Sequence, residues 1–332
     1  MEKLNIITYF ENNICMNKLF LIKNPEIFQG KKYLNTNRNY FEGWYFKNTN
    51  NEKGISFIPG INIDGKNKKA FIQVITNDTS YFINYSINDF KFNFNPFYIQ
   101  IGNNTFSKKG IHIDIKDNSQ NLKLYGDIKY SNSKNIHTSF FSPNIMGPFS
   151  YIPFMECNHA ILSMKSSIYG SININNNEMN FNNDTGYIEK DWGCSFPKSY
   201  IWCQGNNFQK SNSSFMLSIA DIPFKFINFR GIICALIINN QEFKFTTYNN
   251  AKLIRYDVDN HSINIILKKG SYFLNIQSKY DRGLKLSAPV KGKMQKDIFE
   301  SITSSITVTL KKNNSIIFSD ISTNCGLEIV QK

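Results

Sequence analysis

Two short stretches set carboxylates among large aromatic rings. One is Tyr40-Phe41-Glu42-Gly43-Trp44-Tyr45-Phe46-Lys47; the other is Gly186-Tyr187-Ile188-Glu189-Lys190-Asp191-Trp192-Gly193, running on to Trp202, and together they hold all three tryptophans. A carboxyl group pressed against apolar rings loses hydration, so its pKa rises and it can stay protonated near neutral pH. Such a group is a general acid. On a strand, Glu42 and Trp44 share a face, and so do Tyr187, Glu189 and Asp191, with Trp192 on the opposite side. Spacing alone also fits exposed strand carboxylates, or carboxylates paired with Lys47 and Lys190. A third stretch, Ser142 to Phe149, leads into Met155-Glu156-Cys157-Asn158-His159. Its proline and glycine spacing predicts a shaped loop entering a strand, with Glu156 and His159 as an acid/base or orienting pair.

Other chemistries find little to work with. The chain has no Gly-x-Ser-x-Gly elbow, no phosphate-binding glycine loop and no dinucleotide fingerprint. Cys157 and His159 are its one close pair of metal-ligand types, too few for a structural zinc set, so neither metal nor cofactor is expected.

The elements that must position these residues are strands. Ile111, Ile113 and Ile115 alternate with His112, Asp114 and Lys116, and Phe90, Phe92 and Phe94 alternate with Lys91 and Asn93. Similar runs occur at Ile172 to Ile174 and at Ile306, Val308 and Leu310. Turn signals separate them at Asp64-Gly65, Asp117-Asn118, Asn175-Asn176, Asn239-Asn240 and Asn313-Asn314. No long segment carries an amphipathic helical pattern. The expectation is an all-β protein of antiparallel barrel or sandwich units with little helix, because exposed sheet edges must be closed or covered. The 332 residues suggest an N-terminal extension over 1–28 and two β-units, over 29–195 and 196–332.

Composition narrows the partners. The net charge of +13 comes from 38 cations, but only Arg38, Arg230, Arg255 and Arg282 are arginines, and the lysines form no stripe. Nucleic acid is therefore not expected, since its bidentate contacts favour arginine. A weak attraction to anionic membrane surfaces stays open. The longest apolar run, Ile232 to Ile238, is seven residues, against roughly 20 for a spanning helix. The first thirty residues lack the apolar core of a secretory signal. The six cysteines show no CxxC spacing, so a cytoplasmic protein with reduced thiols is expected.

The sequence resembles the tocopherol cyclase family in four blocks: YFEGWYFK (40–47), SPNIMGPFSYIPFMECNHAILSM (142–164), GYIEKDWGCSFPKSYIWCQGNNF (186–208) and GLKLSAPVKG (283–292). The resemblance implies two lipocalin-like β-units with a lipophilic ligand between or within them. It implies a cofactor-independent isomerase that protonates an alkene of a prenylated phenol, hydroquinone or related isoprenoid and closes a ring through the phenol oxygen. Under it Glu189 is the proton donor, supported by Tyr187. Asp191 is its rival, and Glu42 and Glu156 are a second acid or orient the phenol. His159 receives the phenolic proton, while Trp44, Tyr45, Met155, Trp192, Trp202 and Gln204 line the cavity. The same acid would serve a hydratase, and the same cavity would serve a carrier without chemistry; oligomeric state is left open.

Overall fold

Asparagine pairs make the tightest hairpins. Asn175 and Asn176 have φ of 50° and 69°, Asn239 and Asn240 47° and 76°, and Asn313 and Asn314 49° and 69°. Two successive positive-φ residues define the turn whose twist matches that of the flanking strands, and asparagine tolerates that conformation. Asp117-Asn118 behaves differently: the Asp117 carboxylate accepts from Ser119 N and Gln120 N and caps a short 3-10 turn. The structure, a computed structural model, describes residues 18–153, 155–224, 227–259, 262–279 and 283–331. The first seventeen residues, with Cys15, and also His261 and Arg282, lie outside the described residues.

Two antiparallel sheets follow one another along the chain. The first contains β1 (Tyr40–Thr49), β2 (Gly54–Asp64), β3 (Asn67–Ile75), β4 (Ser80–Ser86), β5 (Phe90–Phe94), β6 (Phe97–Ile101), β7 (Asn104–Ser107), β8 (Gly110–Asp117), β9 (Leu122–Lys134), β10 (Cys157–Ile174) and β11 (Asn177–Gly193). Its order is β4-β3-β2-β1-β11-β10-β9-β8-β7-β6-β5. The sheet curls into a nearly closed barrel, and its edge strand β4 is tied to the turn between β8 and β9: the Gln120 amide donates to Phe82 O at 3.0 Å and accepts from Phe82 N at 3.3 Å. Inside lie Trp44, Phe46, Phe57, Phe106, Ile111, Ile113, Ile115 and Ile188.

The second sheet contains β12 (Tyr200–Gly205), β13 (Asn207–Phe208), β14 (Ser213–Phe224), β15 (Ile227–Ile238), β16 (Gln241–Lys244), β17 (Lys252–Val258), β18 (Ser262–Lys269), β19 (Tyr272–Lys279), β20 (Leu284–Val290), β21 (Lys293–Lys312) and β22 (Ser315–Val330). It wraps a core of its own that includes Ile201, Phe215, Leu217, Ile306 and Val308. The protein is all-β, as its alternation and turns imply. Among the described residues helix is confined to Lys18–Lys23 and short 3-10 turns, and none of these helices is long and apolar enough to cross a membrane.

A third apolar cluster lies between the sheets. Tyr45, Tyr187, Met164 and Ile161 from the first meet Trp202, Tyr200, Met216, Ile298 and Ile302 from the second. Hydrogen bonds fix this contact: the Gln73 side chain pairs with Ser287 N and O at 2.9 and 3.0 Å, and Gly292 N donates to Cys194 O at 2.7 Å. Strands facing this layer are covered on both sides. β12 is buried at every position, whereas β8 alternates buried and exposed.

Candidate active site

Backbone pairing brings the acids together. On β11, Glu189 lies across from Tyr45 of β1 and Ile161 of β10, while Asp191 lies across from His159 of β10. Residues directly opposite in a sheet project from the same face. The face bearing Tyr187, Glu189 and Asp191 therefore points out of the first barrel, towards the second. Trp202 comes from β12, whose indole lies over Gly326 of β22; a Cβ there would sit 2.6 Å from the ring, so only glycine admits this approach.

Around Glu189 the contacts are specific. Tyr187 Oη donates to Glu189 Oε2 at 2.5 Å, and Trp202 Nε1 donates to the same oxygen at 3.1 Å. With both donors on Oε2, Oε1 is the oxygen left to carry a proton. His159 stands between the two acids: Nδ1 is 2.9 Å from Asp191 Oδ1, and Nε2 is 3.5 Å from Glu189 Oε2. That longer contact makes no hydrogen bond, and Nε2 is a buried polar atom without a partner.

The electrostatics follow from burial. Desolvation raises the Glu189 pKa from 4.5 to about 7 against the opposing pull of the His159 charge, with Asp191 adding to the rise. Burial works against a charged His159, yet Asp191 and Glu189 overcome it and raise the imidazole from 6.5 to about 9. Tyr187 is held well above its ordinary value by burial and by Glu189, so it remains a donor. Near neutral pH the site thus holds an imidazolium, bonded to Asp191, and a Glu189 carboxyl poised between its two forms.

These groups border a cavity of about 180 Å³ between the two sheets. Its walls are largely apolar: Phe41, Ile58, Phe149, Phe196, Ile222, Leu286 and Ile298 line it beside Tyr45, Met155, Tyr200 and Trp202. Glu189, Asp191, His159, Cys157, Glu156 and Glu328 supply its acidic and other titratable groups. His159, Glu189 and Asp191 offer ligand atoms within 4.8 Å of one another. One ion could take only one ring nitrogen, however, and Asp191 is engaged by the other. That leaves His159 and Glu189 as two ligands, short of the three a catalytic zinc takes, and the trio suits proton transfer better.

Several expected site residues lie elsewhere. Glu42 is in the first barrel, on the face opposite Glu189, ion-paired to Lys190 at 2.5 Å with neither side chain exposed. It also accepts from Gln29 N, Gly30 N and Tyr40 Oη, and so anchors the segment at residues 24–30 across one end of the barrel. Fully engaged there, it cannot orient a ligand in the cavity. Trp44 and Trp192 belong to that interior too, each with its ring under the Lys190 ammonium at 4.8 and 4.9 Å. Gln204 is buried deeper than the cavity wall, accepting from Lys47 Nζ at 3.1 Å. Glu156 is exposed at the cavity edge, and His159 pairs with Asp191 and Glu189 instead.

A nearly closed antiparallel barrel and a second antiparallel sheet, with an acid-bearing apolar cavity between them, define the class of protein. The tocopherol cyclase-like family model matches residues 140–330, more than half the chain, and the protein belongs to that family. Its fold is similar to that of CghA in two structures, one of them with Sch210972, at TM-scores of 0.55 and 0.53, 8% identity and 89% of each chain covered. It is also similar to a putative AttH from Nitrosomonas europaea, at a TM-score of 0.51 and 13% identity, over 88% of this chain and 93% of that one. At these identities the likeness concerns the fold alone. No curated protein matches the sequence.

Proposed function

We propose that this protein is a cofactor-independent cyclase that protonates an alkene of a prenylated phenol, hydroquinone or related isoprenoid, with Glu189 as the proton donor. The observation that carries the reading is the buried Glu189 carboxyl, raised to about 7 and held on one oxygen by Tyr187 and Trp202 at the edge of an apolar cavity. Membership of the tocopherol cyclase-like family supports it. The Glu189 O–H bond breaks as a C–H bond forms at the less substituted alkene carbon. Positive charge then rests on the more substituted carbon. The rings of Trp202 and Tyr45, 5.3 Å apart and edge to face, offer π-faces to that charge, a contact worth about 2 kcal/mol when desolvated. The substrate's own hydroxyl oxygen closes the ring and loses its proton, so substrate and product are isomers. Apolar walls keep water from reaching the cation first.

Incubation with geranylhydroquinone tests this. The expected product has unchanged mass, and Glu189→Gln lowers conversion about 100-fold or more. Full activity in Glu189→Gln would overturn the donor assignment. A product heavier by one water would instead mark a hydratase, and a ligand bound but unchanged would mark a carrier.

A further inference from the structure

Two more glutamates stand in the wall that the second sheet supplies, one fully buried and one half-buried. Glu300 of β21 and Glu328 of β22 are cross-strand partners, and Glu328 also lies across from Trp202 of β12. Both carboxyls therefore project from the face that carries the indole bound to Glu189. Glu328 lines the cavity, and Glu300 behind it is fully buried. Tyr200 Oη donates to Glu328 Oε2 at 2.7 Å, and Tyr45 Oη donates to Glu300 Oε1. Glu300 Oε2 has no such donor. Lys47 does not supply one, because its ammonium is directed at Gln204 and the Asn324 carbonyl.

A buried carboxyl oxygen without a donor, beside a second carboxyl on the next strand, is explained by a shared proton. Two neighbouring carboxyls cannot both ionise in an apolar setting. A proton on Glu300 Oε2 turns that oxygen into a donor towards Glu328 and satisfies both groups. Burial, reinforced by Glu328, holds Glu300 well above the usual carboxylate range. Burial also raises Glu328, but Tyr200 and the hydrogen bond from Glu300 restrain it to about 7. Of the two, Glu300 keeps the proton and Glu328 takes the charge.

We propose that Glu328, held by Tyr200 and by a protonated Glu300, is the base of the cavity. The inference rests on the function proposed above. Glu189 gives its proton to the alkene carbon, and the new C–O bond forms as the hydroxyl O–H bond breaks. The released proton passes to Glu328. Turnover leaves Glu189 ionised and Glu328 neutral, and solvent at the cavity mouth moves one proton back. No oxidant or further reactant is consumed. Glu300 is a positioning residue in this scheme, acting through the proton it offers to Glu328. The substrate must then be folded with its alkene towards the first sheet and its hydroxyl towards the second.

Amide substitutions separate these roles. Glu328→Gln cannot accept a proton, and conversion of geranylhydroquinone should fall about 100-fold or more with KM little changed. Glu300→Leu should also lose turnover, whereas Glu300→Gln keeps an N–H for Glu328 and should recover most of it. Infrared spectra at neutral pH read the pair without substrate: one buried carboxylic acid band should vanish in Glu300→Gln and persist in Glu328→Gln. Circular dichroism establishes that each variant is folded. Undiminished turnover in Glu328→Gln, no rescue by Glu300→Gln over Glu300→Leu, or a band that survives Glu300→Gln would overturn the assignment. If Glu189→Gln is fully active, or the parent protein leaves the probe unchanged, the functional reading fails and the infrared result still decides the pair. If only Glu328→Gln is active, the base alone is wrong.

Discussion

A single side chain, His159, shifts the pH at which the donor works. Its charge lowers the pKa of Glu189, against a larger rise from burial. Glu189 gives a proton only while it has one, so conversion should decline as pH rises through about 7. Replacing the imidazolium by the neutral amide of His159→Gln removes the lowering influence. Glu189 then keeps its proton to higher pH, and the alkaline limb of the kcat/KM profile should move up. The acid limb belongs to Glu328, also near 7, which carries its negative charge above that point. His159→Gln should leave that limb in place. A profile in which the alkaline limb stays fixed or moves to lower pH would contradict the charge assigned to His159.

At the level of the strand, parity separates two chemically similar acids. Glu42 and Glu189 each sit among aromatic rings in the sequence, but β1 and β11 pair so that Tyr45, not Trp44, lies across from Glu189. One acid faces the cavity and the other is locked to Lys190 in the barrel. Removing one member of a fully buried ion pair costs about 3–5 kcal/mol. Lys190→Met should show that loss in denaturant unfolding, because it strands the Glu42 charge and frees the Pro25 and Ile27 carbonyls that Lys190 holds. A loss below about 1 kcal/mol, as for an exposed pair, would contradict the clamp. The same parity explains what could be read in advance. Strands with one wet face spelled themselves out: Ile111, Ile113 and Ile115 are buried, while His112, Asp114 and Lys116 are exposed. β1, β2 and β12 are covered on both faces and carry no clean alternation. The rings around Glu189 could therefore be named as a group, but not assigned to a wall until register was known. Glu300 and Glu328 lie outside the ring-rich stretches, with Phe299 the one ring adjacent to either in sequence. Their signal is subtler: each is a lone carboxylate with non-polar neighbours two positions away on its own face, Ile298 and Ile302 for one, Gly326 and Val330 for the other.

Across the whole molecule, the layer that joins the two sheets is also where the raised carboxyls are stored, so cohesion and protonation are linked. Glu189 and Glu328 are each raised from 4.5 to about 7, and Glu300 is raised further. A group whose pKa is higher in the folded chain binds more protons there than in the unfolded chain. Its stabilisation is complete below about pH 4.5 and is lost as pH rises through the folded value. His159 acts in the same sense, from 6.5 up to about 9. Lys47 and Lys165 are both depressed to about 8 and oppose the trend only above that pH. The unfolding free energy should therefore fall by a few kcal/mol between about pH 5 and pH 8. Glu328→Gln removes one of the titrating groups and should flatten the slope over that window. Urea unfolding at a series of pH values measures it directly. A protein that grows more stable from pH 5 to pH 8 would mean that these carboxylates are ionised and paired in the folded chain, contrary to the burial on which both the donor and the base depend.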